Sequence, residues 1–219
     1  MSERLPEPDP RRWPSDPQRW TVELPTGMPL SRIFPGGGPH PTRWNTFRSW
    51  GPTESRFDHH PDPVGDHPDF GVMYLGRAGI IRHGRAYPAF TCSIGEYYQN
   101  RKTVDPDGTL DHHAVFTLAR PVKVLDIGDT DWVTVAGGNA ATCSGERSRA
   151  RTWAREIHRR YPTIEGIAYS SSVNPAARAV TLWERAATAL PPAPALSAPL
   201  RSMMNAVERA AAQIGYGVL

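Results

Sequence analysis

Apolar residues recur at helical spacing across Glu146–Tyr161, where Ala150, Trp153, Ile157 and Tyr161 share one face and Arg residues fill the others. Pro162 follows at once, which is where a helix stops. Other stretches have a different period. Val72-Met73-Tyr74-Leu75 is a short apolar run between Gly71 and Gly76, and it predicts a buried strand. Ala114–Ala119 and Val122–Ile127 are rich in β-formers and flank Arg120-Pro121, predicting strand, turn and strand. Gly166–Ser170 and Ala179–Trp183 predict two further strands joined by a turn around Asn174-Pro175, and Ser93–Lys102 a short helix. Near the C-terminus Leu200, Met203, Met204, Val207, Ala211 and Ile214 mark an amphipathic helix that Gly215 is placed to end. Strands and helices alternating in this order predict an α+β fold, with mixed β-sheets and flanking helices.

The remaining segments lack periodicity. Met1–Pro25 carries Pro and Arg in nearly every short window, so it is expected to be extended, anchored by Trp13 and Trp20 and frayed at its start. Ser31–Phe70 is dense in Gly, Pro, Asp and His, a composition that disfavours a long helix or a regular strand. Trp44, Phe47, Trp50, Phe57 and Phe70 still give it something to bury, so order is expected. Leu190–Pro199 reads as a Pro/Ala/Ser linker. The resulting division is an N-terminal extension over residues 1–24, a main domain over 25–187, and a linker with an amphipathic helix over 188–219. That helix is expected to pack on the domain or on another chain, which leaves room for a homo-oligomer.

Composition narrows the class. A chain of 219 residues with 39% hydrophobic and 21% charged residues is globular, one domain with an appendage. The formal charge is only +3 and no Lys/Arg run occurs, which argues against a nucleic-acid partner. Cys92 and Cys143 lack Cys-x-x-Cys spacing and read as reduced thiols of a cytoplasmic protein. Met1–Arg12 has no apolar stretch of the signal-peptide kind, and no run approaches the ~20 residues that span a bilayer. No membrane partner is expected.

Several motif-like features carry no chemistry on spacing. His59, His60 and His67, with Asp58, Asp62, Asp66 and Asp69, fit no helical ligand pair and read as a solvated loop, so no metal is expected. Asp111-His112-His113 reads as a turn. Gly36-Gly37-Gly38 precedes Pro39 and lacks the Lys-Ser/Thr of a phosphate loop. Gly137-Gly138-Asn139 lacks the dinucleotide fingerprint, and there is no Gly-x-Ser-x-Gly elbow.

One ordered constellation does point to a function. Arg32-Ile33 is followed by Trp44-Asn45-Thr46-Phe47, Arg56-Phe57-Asp58, Val72-Met73-Tyr74-Leu75, Glu96, and much later Gly166-Ile167-Ala168-Tyr169-Ser170-Ser171. In order and spacing this resembles the RES domain, named for its Arg, Glu and Ser, over about Pro25 to Ala187. Gly76–Thr91 is longer and more basic than the family's usual link between its Tyr strand and its Glu helix. The resemblance implies a fold like the ADP-ribosyltransferase toxins and degradation of NAD⁺, by phosphorolysis in some members, with protein ADP-ribosylation in some relatives. It also implies an Xre-type antitoxin as partner. Matched by position, Arg56, Glu96 and Ser171 are the expected catalytic residues, and Arg32 and Tyr74 the expected NAD-binding residues. NAD⁺ is then a substrate, inorganic phosphate a co-substrate in the phosphorolytic case, and no cofactor is expected.

These residue types suit that chemistry. Guanidinium groups grip phosphate oxygens through paired, charge-assisted hydrogen bonds. Breaking the C–N glycosidic bond builds positive charge on the ribose, which a fixed carboxylate favours. Each residue also has a purely structural reading. Arg32 and Arg56 read singly as surface Arg, Tyr74 as core, Ser170-Ser171-Ser172 as a turn, and Ser93-x-x-Glu96 as a capping box. Only their ordered co-occurrence favours function. The alternatives are a protein ADP-ribosyltransferase using the same pocket and a non-catalytic binding module.

Overall fold

The computed structural model describes residues 4–78, 87–174 and 176–219. The Gly76–Thr91 stretch and the Asn174-Pro175 turn therefore lie partly outside the described residues, as does the start of the N-terminal segment. In chain order the elements begin with β1 (Thr21–Leu24) and β2 (Pro29–Pro35), then the two-residue strands β3 (Trp50–Gly51) and β4 (Gly65–Asp66). Next come β5 (Val72–Arg77), α1 (Ala89–Tyr97), β6 (Thr103–Val104), β7 (Asp111–Thr117) and β8 (Val122–Asp126). The single turns α2 (Trp132–Val135) and α3 (Ala141–Ser144) precede the long helix α4 (Arg147–Arg160). The chain closes with β9 (Gly166–Ser170), β10 (Arg178–Trp183), β11 (Leu196–Pro199), α5 (Met204–Ile214) and β12 (Gly217–Val218).

Eight strands form one sheet in the order β1-β8-β9-β10-β5-β2-β7-β11. Every pairing within this sheet is antiparallel except β8 with β9, so the protein is α+β with a mixed sheet and flanking helices. Consecutive strands β7 and β8 do not pair; they lie on opposite sides of the sheet. The segments read as appendages supply both edges, β1 and β11. Trp13 anchors the N-terminal segment, as expected, and does so against Trp132 and against Trp153 of α4, with ring centroids 5.1 and 5.3 Å away.

Several expectations are corrected. Ser31–Phe70 does contain most of a regular strand: β2 starts two residues before it, at Pro29, and ends at Pro35, pairing with β7 along its whole length. Its two prolines stand at the strand ends, where a missing N–H is tolerated. The helix read at Ser93–Lys102 lies earlier, over Ala89–Tyr97, starting directly after Pro88. Ser93 is therefore mid-helix and buried, and the capping-box reading falls. Asp111-His112-His113 is the start of β7, with Asp111 and His113 buried. The expected linker ends in the edge strand β11.

The C-terminal helix packs on its own domain. Leu200, Val207, Ala210 and Ala211 join Ile33, Ile94, Tyr98 and Val104 in one apolar cluster. Gly215 ends the helix in the left-handed conformation at φ 71°, which an L side chain adopts only with strain. Among the described residues no helix is long and apolar enough to cross a membrane.

Candidate active site

The two halves of the sheet meet at a narrow seam. β2 and β5 are paired in the ladder at one position, Ser31 opposite Gly76. Gly76 is where α1 comes closest: a Cβ there would stand 2.3 Å from Ala89 O and 2.6 Å from Ser93 Oγ. Ser93 Oγ accepts the Gly76 N–H at 3.2 Å and lies 2.9 Å from both the carbonyl and the hydroxyl of Ser31. A polar residue inside a buried helix face thus ties α1 to both strands. One helical turn further on, Glu96 is held over the seam.

A cavity of about 350 Å³ opens there, near the lower end of the roughly 300–1,000 Å³ usual for small-molecule sites. Its lining includes four of the five residues read from the sequence: Arg32, Arg56, Tyr74 and Glu96. Ser171 stands behind the wall. It is buried, and its hydroxyl donates to Glu96 Oε1 at 2.5 Å while Tyr169 donates to Oε2 at 3.1 Å. Of the three adjacent serines, Ser172 lines the cavity and Ser170 Oγ accepts from Arg178 at 3.1 Å. Burial raises the Glu96 pKa above the ordinary Glu value, although Ser171, Tyr169, Arg56 and Arg147 all pull against that rise.

Neither expected guanidinium has a carboxylate partner within ion-pair distance among the described residues. Arg32 is buried and donates from Nη1 to the carbonyls of Arg43 and Trp44, at 3.1 and 2.6 Å. Burial brings its pKa down to about 10. Arg56 donates to Gly145 O at 2.7 Å, and burial lowers its pKa as well. Phe57 packs on Tyr169, ring centroids 4.6 Å apart, which fixes Arg56 beside the Glu96 wall.

The Tyr74 hydroxyl is fully engaged: it accepts from Phe57 N at 3.0 Å and donates to Asp58 Oδ1 at 2.9 Å. Asp58, wholly buried, also takes Arg48 at 2.6 Å and the Thr53 N–H and hydroxyl at 2.8 and 2.7 Å. This network gives the irregular loop its shape. What Tyr74 offers the cavity is the ring.

Sequence reasoning missed Arg48, Tyr97, Cys143 and Arg147 as lining residues and Tyr169 as a partner of Glu96. Tyr169 stood inside the quoted Gly166–Ser171 motif. The other four carry no local signal, because what they line is assembled from distant segments. Burial pushes the Cys143 thiol up to about 11, so it is protonated at neutral pH.

The histidines read as a solvated loop are corrected too: His59 and His60 are fully buried. His59 Nε2 and His158 Nε2 lie 3.0 and 2.7 Å from the two oxygens of Glu184, a donor set of the kind zinc takes. Arg185 Nη2, however, faces His158 Nδ1 at 3.3 Å. A guanidinium there leaves the ring proton on Nε2, where it serves Glu184. Through their Nε2 atoms the two rings and Glu184 form a clasp joining the loop to α4 and the end of β10, while His59 Nδ1 stays buried without a hydrogen-bond partner among the described residues.

Fold and cleft together define an α+β protein with a small-molecule cavity rich in guanidinium groups. Among solved structures, the chain is similar to one from the crystal structure of the M. tuberculosis MbcT–MbcA toxin–antitoxin complex. The TM-score is 0.53 and the identity 12%, over 89% of this chain and 94% of that one; at this identity the likeness is one of fold. No family model and no curated protein matches the sequence.

Proposed function

We propose that this chain is a RES-type enzyme that breaks the nicotinamide–ribose bond of NAD⁺ and serves as the toxin of a bacterial toxin–antitoxin pair in the cytoplasm. The observation that carries the reading is the meeting of Arg32, Arg56 and Glu96 in one cavity. A guanidinium buried without a carboxylate is costly unless an anion completes it. The pyrophosphate of a dinucleotide is such an anion. The order of the motifs and the structural likeness to a chain of a toxin–antitoxin complex point the same way.

On this reading the C–N bond breaks with its electron pair going to the pyridinium nitrogen, and nicotinamide leaves neutral. Positive charge grows on the ribose. Glu96 faces that charge already aimed, since Ser171 and Tyr169 hold one oxygen each and both oxygens keep a further lone pair. A group preorganised in this way contributes about 3–4 kcal/mol to lowering the barrier. Phosphate or water then bonds to the ribose carbon and loses a proton. The Tyr74 ring suits the flat nicotinamide. The partner on this reading is an Xre-type antitoxin that covers the cleft.

Purified protein incubated with NAD⁺, with and without inorganic phosphate, tests the reading by mass spectrometry of the products. Nicotinamide together with ADP-ribose phosphate or ADP-ribose is expected. ADP-ribose attached to a protein would make the chain a transferase. Intact NAD⁺ under every condition would leave a binding module.

A further inference from the structure

Arg147 opens α4 and lines the same cavity as Arg56 and Glu96. Its Nη2 donates to Gln99 Oε1 at 3.1 Å and Asn100 Oδ1 at 2.9 Å, and its Nη1 lies 3.4 Å from Glu54 O. All of these are neutral acceptors. Among the described residues no carboxylate stands within ion-pair distance of it. Its position is also unfavourable for the helix. The N-terminus of a helix carries partial positive charge and prefers acidic residues, yet α4 has none in its first turn and Glu146 makes no side-chain cap bond. A cation is therefore set against a helix dipole and beside a second cation, Arg56. Local rules broken together in this way mark functional sites. An anion between the two guanidiniums and the helix end would relieve all three conflicts.

We propose that Arg147 is a further binding residue, which with Arg56 grips a phosphate or pyrophosphate group next to Glu96. This deepens the NAD⁺ reading and rests on it for the identity of the natural ligand. Gln99 and Asn100, just past the end of α1, hold the Arg147 guanidinium in place without neutralising it. The neighbourhood divides accordingly. Arg56 and Arg147 serve the Glu96 end, whereas Arg32 lies towards Tyr97 and Phe34, its guanidinium 5.6 Å from the Phe34 ring centroid.

Calorimetric titration of inorganic pyrophosphate into wild type, Arg147→Gln, Arg147→Lys and Arg209→Gln tests the assignment at fixed ionic strength. Melting temperatures report whether each variant folds. Arg209 is exposed on α5 and controls for the loss of one positive charge. Wild type and Arg209→Gln are expected to bind alike, and Arg147→Gln about tenfold more weakly. Arg147→Lys, which keeps the charge but not the planar fork, should lose about threefold. It decides the matter if the Gln variant does not fold. Undiminished affinity in either folded Arg147 variant, or no pyrophosphate binding by wild type, would overturn the assignment. NAD⁺ titrated in parallel separates the two readings. Arg147-dependent pyrophosphate binding by a protein indifferent to NAD⁺ would keep the anion site and remove the dinucleotide.

Discussion

Ser171 and Glu96, 75 residues apart in the chain, share a 2.5 Å hydrogen bond that aims the carboxylate into the cavity. Tyr169 completes the grip from the other oxygen. The end of strand β9 and the residue just past it thus present two hydroxyls to a helix that carries one acid, and neither hydroxyl needs to touch a ligand to matter.

Ser171→Ala and Tyr169→Phe should each lower kcat for NAD⁺ cleavage about tenfold with little change in KM, because a hydrogen bond to a charged group is worth about 1.5–3 kcal/mol. Both hydroxyls also lower the Glu96 pKa. Removing either should move the acid limb of the kcat profile to higher pH. A rise in KM at constant kcat would mean that these residues contact substrate instead.

Arg32→Gln should separate stability from binding. The amide can still donate to the carbonyls of Arg43 or Trp44, while the uncompensated buried charge disappears. The expected result is a melting temperature equal to or above wild type, with NAD⁺ bound at least about tenfold more weakly. A large fall in melting temperature with unchanged affinity would make Arg32 structural.

Much of this was legible in the sequence, for identifiable reasons. α4 and β9 follow from strong local periodicity, and their bounds fall within a residue of those expected. β2 was hidden because Ser31 and Arg32, both buried, interrupt its apolar pattern between two prolines. The burial of His59 depends on His158 and Glu184, 99 and 125 residues further along, so no local window contains its cause. Arg147 could not be singled out, because Arg149, Arg151, Arg155, Arg159 and Arg160 share its helix.

The C-terminal helix should prove integral to the fold. Leu200 is fully buried in the cluster that also backs Ile94 of α1. Leu200→Ala should cost about 2–5 kcal/mol in urea unfolding. Removing residues 200–219 should also abolish ligand binding, since α1 carries Glu96. Unchanged stability after truncation would show the helix to be dispensable.

Acid should destabilise the protein ahead of any carboxylate effect. Burial lowers the pKa of His59 and of His113 to about 4, from an unfolded value near 6.5. The folded state therefore binds fewer protons between those limits. The stability concerned is complete above about pH 6.5 and lost as pH falls to about 4, on the order of 3 kcal/mol per histidine at most. Glu184, held well below the usual carboxylate range by His158 and His59 despite its burial, adds a further loss only as pH falls below about 4.3. Urea unfolding at pH 7.5, 5.5 and 4 should show the first loss already at pH 5.5, and His113→Asn should flatten it. A profile flat from pH 7.5 to 5 would contradict the neutral buried histidines.

The most direct measurement is nicotinamide release from NAD⁺ by wild type and by Glu96→Gln, with circular dichroism verifying the fold of both. The expected result is steady release by wild type and a fall of roughly 10²–10³-fold in the variant, at matched NAD⁺ saturation. Equal release by a correctly folded Glu96→Gln protein would contradict the assignment of Glu96, and with it the enzyme built around that cleft.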